Sequence, residues 1–292
     1  YLLQVVPGRQ DVQVNSRLLP EILFITSYPP RECGIATYSQ DLISALNNKF
    51  NHSFKINICA LESEHEKHTY TADIKYTLNT DEPAAYIQLA KTINENINIS
   101  IVLIQHEFGL FKKNGDELTH FLKMLIKPVI TVFHTVLPGP NDTLKENVQQ
   151  IASLSESIIV MTNSSVNILL KDYSIAPGKI TLIPHGTHLV QHADKELLKL
   201  KYSLSGKKIL STFGLLSSGK SIETTLEALP GIIKSNPDVL FLIIGKTHPS
   251  VVKQDGEKYR DMLNAKVAAL QIGQHVKFIN AFLPLNDLLE YL

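Results

Sequence analysis

The sequence predicts an α/β protein made of two doubly wound units with a cleft between them. Three observations carry that reading. Short β-rich runs alternate with helical patterns along almost the whole chain, the rhythm pauses once at 187–206, and it then restarts. A regular βαβ alternation implies a parallel sheet with helices on both faces.

The elements follow in order. Ile22 to Ile25 form an apolar run rich in β-branched and aromatic residues, as a buried parallel strand does. Pro29-Pro30 stops it, and Gly34 opens a helix that carries Leu42, Leu46 and Phe50 at helical spacing. Further strands are expected at 54–59, 74–77, 100–105, 129–133, 157–161 and 180–183. Helices are expected between them at 35–48, 83–96, 115–125, 144–154 and 164–172. After the pause, a polar helix at 194–202 ends in Ser205-Gly206. The series resumes with strand 208–213, helix 221–235, strand 239–245, helix 255–270 and strand 275–279. This divides the chain into an N-terminal extension at 1–20, a first domain at 21–195 and a second at 196–292. The second shows about three strands, fewer than such a sheet usually has, so an incomplete second domain is expected.

Composition narrows the function. Lys and Arg number 28 and Asp and Glu 28, so no basic field points to nucleic acid. Two cysteines, Cys33 and Cys59, make no disulfide framework and suit a reducing compartment; a cytoplasmic location is expected. No apolar run reaches the ~18 residues of a membrane span. The first twenty residues, interrupted by Pro7, Arg9, Asp11 and Arg17, lack the apolar core of a signal peptide.

Polar residues collect where strands end, which is where open α/β sheets bind ligands. Gly34 lets the main chain approach a ligand, beside a helix start that offers free N–H groups to an anion. His106-Glu107-Phe108-Gly109 follows the run 101–104, and His134 follows 129–133. Imidazole and carboxylate there suit sugar hydroxyls or proton transfer. Pro184-His185-Gly186 forms a third strand-end turn in which Gly186 serves backbone geometry.

Gly214-Leu215-Leu216-Ser217-Ser218-Gly219-Lys220-Ser221 matches the pattern G-x-x-x-x-G-K-[ST], with a strand before it and a helix after it. Such a loop offers backbone N–H groups and a lysine to a phosphate. A nucleotide hydrolase also needs a strand ending in Asp for magnesium, and the strand at 239–244 ends in Gly245-Lys246. Glu62, Glu64, His65, Glu66 and His68 crowd one polar loop without metal-ligand spacing, and Cys33 reads as a loop cysteine. No D-x-D triplet occurs, and no metal site is expected.

Six pieces in register resemble the GT-B glycosyltransferases, specifically the large retaining family GT4 and a bacterial mannosyltransferase-like branch of it. They are P-P-R-E-C-G-I-A-T-Y, T-V-F-H, L-I-P-H-G-T, F-G-L-L-S-S-G-K-S, L-E-A-L-P and F-L-I-I-G-K-T-H-P. The resemblance covers residues 20 to 292. It implies two Rossmann-like domains and transfer of a hexose, mannose favoured, to a glycan, lipid-linked or small-molecule acceptor. The donor would be a GDP- or UDP-hexose, used without a metal or other cofactor. It further implies that His134 and Lys220 are catalytic, with His134 on the transferred sugar and Lys220 on the departing diphosphate. Gly34, Ile35, Gly214, Gly245 and Lys246 would line the donor site, and His106 and Glu107 the acceptor side. Acceptor contacts would come from loops at 61–70 and 111–115. Peripheral membrane contact stays open, although no strongly basic amphipathic helix is present. Leu215 stands where the family usually has an arginine, Ser221 replaces a glycine, and the E-x7-E segment is absent. The alternatives are a P-loop NTPase built on Gly214 to Ser221 and a non-catalytic GT-B-like binding module.

Overall fold

The computed structural model describes residues 19–50, 53–64, 66–70, 74–111, 116–187, 190 and 193–292. The expected extension at 1–20 therefore lies outside the described residues except at its last two positions, as do His65 and most of the loop at 111–115. The chain divides into two compact units, Tyr1–Gly186 and Thr187–Leu292. That division falls within the pause in the rhythm but ahead of the 195/196 boundary read from sequence. Asp194 caps helix α6 (Lys195–Lys201), accepting hydrogen bonds from the N–H groups of Glu196 and Leu197, so Asp194 and Lys195 go with the helix that a 195/196 boundary would cut.

Among the described residues of unit one, seven parallel strands form one sheet. They are β1 (Glu21–Thr26), β2 (Lys55–Glu62), β3 (Ile74–Asn79), β4 (Ile99–His106), β5 (Val129–Phe133), β6 (Ser157–Val160) and β7 (Ile180–Leu182). Their order is β3-β2-β1-β4-β5-β6-β7. The chain runs outward from β1 to β3, returns beside β1 as β4, and runs outward the other way. The switch point of a doubly wound sheet therefore lies between β1 and β4, and the ligand crevice opens at their carboxyl ends.

Strand alternation builds two cores. Leu23, Ile25, Cys59 and Ile104 pack with Tyr86 of α2 (Pro83–Glu95), Phe121 of α3 (Asp116–Met124) and Val148 of α4 (Asp142–Leu154). On the other face Phe24, Ile58 and Ala60 meet Ile43, Leu42 and Leu46 of α1 (Gly34–Phe50). Phe50, the third residue of the expected stripe, is instead 41% exposed at the last position of α1 and contacts the ring of Phe54. Strand β2 outruns its expected end at Cys59 because Ala60 and Leu61 carry the alternation on into both cores. Helix α5 (Asn163–Lys171) completes the unit, capped by Thr162.

In unit two β8 (Lys208–Phe213), β9 (Val239–Ile244) and β10 (Val276–Ile279) form a parallel sheet in the order β10-β9-β8 among the described residues. Central β9 is buried at every position, which explains its unbroken apolar run. Helices α7 (Ile222–Ser235) and α10 (Leu285–Tyr291) flank the sheet. The single helix expected at 255–270 is two, α8 (Pro249–Asp255) and α9 (Lys258–Ala269). They part at Gly256, whose φ of +64° a helix cannot continue.

Candidate active site

In unit one the residues gather at the β1/β4 switch point. Thr26 Oγ1 and Ser39 Oγ, both fully buried, lie 2.6 Å apart and tie the end of β1 to α1. Cys33 turns out to be a helix cap, since the Ala36 N–H donates to its Sγ at 3.3 Å. The Gly34 and Ile35 N–H groups open the helix without intrahelical acceptors. Nothing stands within 4 Å of where a Gly34 side chain would begin, so the helix start is open to a ligand.

His106 does not join this group. It and Gln105 are successive residues of β4 and so face opposite sides of the sheet. His106 is 3% exposed in a cage of Phe133, Phe108 and Phe111, with ring centroids at 4.6, 5.0 and 5.7 Å. Burial, and then the neighbouring His134, push its pKa down to about 3, so the ring is neutral. Strand periodicity thus puts His106 in the core, away from the crevice where its place in the sequence suggested it would be. Glu107 ties two strand ends together: Thr135 Oγ1 donates to its Oε2 at 2.5 Å and the Phe108 N–H to its Oε1 at 3.0 Å.

His134 continues the β4/β5 ladder, its N–H donating to the His106 carbonyl at 3.0 Å. Its Nε2 lies 2.7 Å from Gln105 Oε1. The Tyr38 ring meets His134 edge-on at 5.0 Å and His185 at 5.3 Å. Burial first, then His185, pushes the His134 pKa down to about 4. The structure therefore assembles Tyr38, Gln105, His134 and His185, of which sequence reading singled out the two histidines. Gln105 had a signal, an amide directly after the apolar run 101–104 and just ahead of His106. Tyr38 had none beyond its place near the start of α1.

In unit two Gly214 follows β8 with φ of +109° and Gly245 follows β9 with φ of +140°. A Cβ on Gly245 would stand 1.9 Å from the Gly214 carbonyl oxygen, so the two strand ends meet backbone to backbone. Lys220 folds back over this junction, its Nζ 3.6 Å from the Cβ position of Gly214. Lys246 follows Gly245 directly, and its carbonyl accepts the Leu216 N–H at 2.9 Å. Arg260, which sequence reading missed, is 8% exposed behind the junction. Its Nη2 donates to the Gly245 carbonyl at 3.2 Å, its Nε to Glu257 at 3.2 Å and its Nη1 to Asn280. The guanidinium is thus committed to the scaffold and does not replace the arginine missing at Leu215.

The P-loop pattern does not fold as a phosphate cradle. The N–H groups of Gly214, Leu216, Lys220 and Ser221 all donate to backbone carbonyls. Lys220 ends a separate 3₁₀ turn (Ser218–Lys220), and Ser221, at φ of +48°, interrupts the chain before α7. The first N–H of α7, that of Ile222, donates to Tyr259 Oη at 3.2 Å. Elsewhere Glu66 pairs with Arg31 at 3.0 Å, and Glu62 Oε1 accepts the His68 N–H. Among the described residues no three His, Cys, Asp or Glu side chains gather as a metal site would need.

No protein-family profile matches the chain, and no curated protein sequence matches it. Solved structures do match. The Anabaena protein Alr3699/HepE, in complex with UDP and glucose, superposes with a TM-score of 0.64 at 11% identity over 89% of this chain and 69% of its own. A glycosyltransferase from Rickettsia africae ESF-5 gives 0.64 at 17% identity over 90% and 69%. A UDP-forming α,α-trehalose-phosphate synthase from Burkholderia vietnamiensis gives 0.60 at 13% over 94% and 75%. At these identities the likeness is one of fold, and the fold is the α/β GT-B fold of glycosyltransferases.

Proposed function

We propose that this chain is a retaining glycosyltransferase of the GT4 type. It moves a hexose, mannose favoured, from a GDP- or UDP-sugar to a glycan, lipid-linked or small-molecule acceptor in the cytoplasm. The observation that carries the reading is the Lys220 ammonium folded over the Gly214/Gly245 junction. When the bond from the sugar's anomeric carbon to the diphosphate breaks, negative charge builds on the leaving oxygen. A cation already in place stabilises that charge without rearranging. In unit two Lys220 takes this role and Lys246 adds charge beside it. In unit one Gly34 and Ile35 offer N–H groups, and the neutral His134 takes a sugar hydroxyl. With lysines countering the diphosphate, the proposal requires no metal. The solved HepE complex with UDP and glucose supports a nucleotide-sugar donor through the shared fold. Among the described residues no helix is long and apolar enough to cross a membrane.

The test is incubation with GDP-mannose, UDP-glucose and a panel of glycan and lipid-linked acceptors, followed by nuclear magnetic resonance of the product. Release of GDP or UDP with a product of unchanged anomeric configuration supports the reading. An inverted product refutes the retaining mechanism, and no release from any donor refutes the transferase.

A further inference from the structure

We propose that Gln105 is a positioning residue that holds His134 as a neutral imidazole with its proton on Nε2, leaving the Nδ1 lone pair to accept a hydrogen bond from a ligand hydroxyl. The register of the sheet makes the contact. Gln105 pairs with Val132 across β4 and β5, and His134 stands two residues further along the same face. That is the diagonal at which long side chains on neighbouring strands meet. The 2.7 Å separation of His134 Nε2 and Gln105 Oε1 is short for an N–H···O bond. Gln105 is fully buried, so no solvent competes for its amide oxygen.

The chemistry of the amide decides the outcome. An amide oxygen accepts the imidazole proton but carries no charge to favour imidazolium, whereas a carboxylate there would favour it. The groups that face His134 reinforce neutrality. Tyr38 from α1 and His185 beyond β7 touch or approach the ring, His106 lies across the sheet, and Glu107 is occupied by Thr135. Burial and the second histidine disfavour a positive charge, and the pKa falls to about 4. His134 is thereby set up for a polar uncharged group such as a sugar hydroxyl. The role of that hydroxyl in catalysis rests on the proposed function, but the tautomer is a property of the resting protein.

The experiment is nitrogen-15 histidine resonance spectroscopy from pH 7.5 to 5, with His134 assigned by comparison with His134→Gln. The proposal expects an Nε2-protonated ring that stays neutral throughout. In Gln105→Glu the His134 pKa should rise by more than one unit. In Gln105→Leu the ring should populate both tautomers, and turnover should fall about tenfold with a smaller change in donor KM. A wild-type ring protonated on Nδ1, or titrating near pH 6.5, overturns the proposal even if neither variant folds. So does an unchanged tautomer in Gln105→Leu. If the spectra agree while no donor is turned over, the positioning role stands and the transferase reading falls.

Discussion

Replacing Gly245 with alanine should damage unit two more than any other glycine change in the candidate site. At φ of +140° an L-residue is strained by about 1–3 kcal/mol before any contact is considered. The new Cβ would also stand 1.9 Å from the Gly214 carbonyl oxygen and 2.9 Å from its carbon, where real Cβ atoms stay beyond 3.0 Å. Both obstacles are backbone, so the ends of β8 and β9 must separate. That movement strains the 3.0 Å bond from the Gly214 N–H to the Ile244 carbonyl and the Arg260 bond to the Gly245 carbonyl. Adding about 1 kcal/mol for each lost bond brings the expected cost to about 3–5 kcal/mol. Urea unfolding followed by circular dichroism reads it directly. Two alanine variants set the scale. Gly214→Ala keeps the strain of φ +109° but meets only the Lys220 side chain at 3.6 Å, so about 1–3 kcal/mol is expected. Gly273→Ala enters open space and should change stability by less than about 0.5 kcal/mol. A Gly245→Ala protein as stable as Gly273→Ala would refute the close-approach argument.

Stability should fall on acidification. The unfolded chain protonates His106 near pH 6.5, whereas the folded chain resists protonation down to about pH 3. Its contribution is therefore complete above pH 6.5 and is lost below it, by up to about 1.4 kcal/mol per pH unit. Urea midpoints between pH 7.5 and 5 should show this slope added to a similar one from His134, and His106→Phe, which suits the aromatic cage, should remove the His106 share and leave that of His134. Removing the Asn141 cap of α4, whose Oδ1 accepts the Leu144 N–H at 2.9 Å, should cost about 1 kcal/mol in the same unfolding assay. Arg260→Ala should destabilise unit two by about 2 kcal/mol or more, because the Gly245 carbonyl, Glu257 and Asn280 lose one shared donor. Differential scanning calorimetry would register a lowered melting transition, and an unchanged one would contradict the scaffold role.

The sheet was legible because each buried strand carries its own apolar run between turn residues. Val129–Phe133 and Lys208–Phe213 fall where periodicity puts them. The break at Gly256 was not legible, since the charged stretch around it has weak amphipathicity and one glycine does not announce a positive φ. A strand end identified His134 as a candidate and the glycine–lysine pattern identified Lys220, but position along a strand says nothing about which face a side chain takes. Hence His106 looked equivalent to His134 although the pleat sends it into the core. The P-loop pattern misled in a related way. It records residue types, whereas the cradle depends on which N–H groups stay free, and here the end of β9 and Lys246 take those of Gly214 and Leu216, while Ser217 and Ser218 of the loop itself take those of Lys220 and Ser221. Tyr38 and Arg260 act through contacts across 96 and 15 residues of sequence, to His134 and Gly245, that no local spacing encodes.

Calorimetric titration of the protein with UDP and GDP, without and with magnesium, tests the donor-site reading most directly. UDP or GDP should bind without magnesium, and Lys220→Ala should weaken that binding about tenfold or more, as loss of a charged phosphate contact does. Binding that requires magnesium and is indifferent to Lys220→Ala would contradict it.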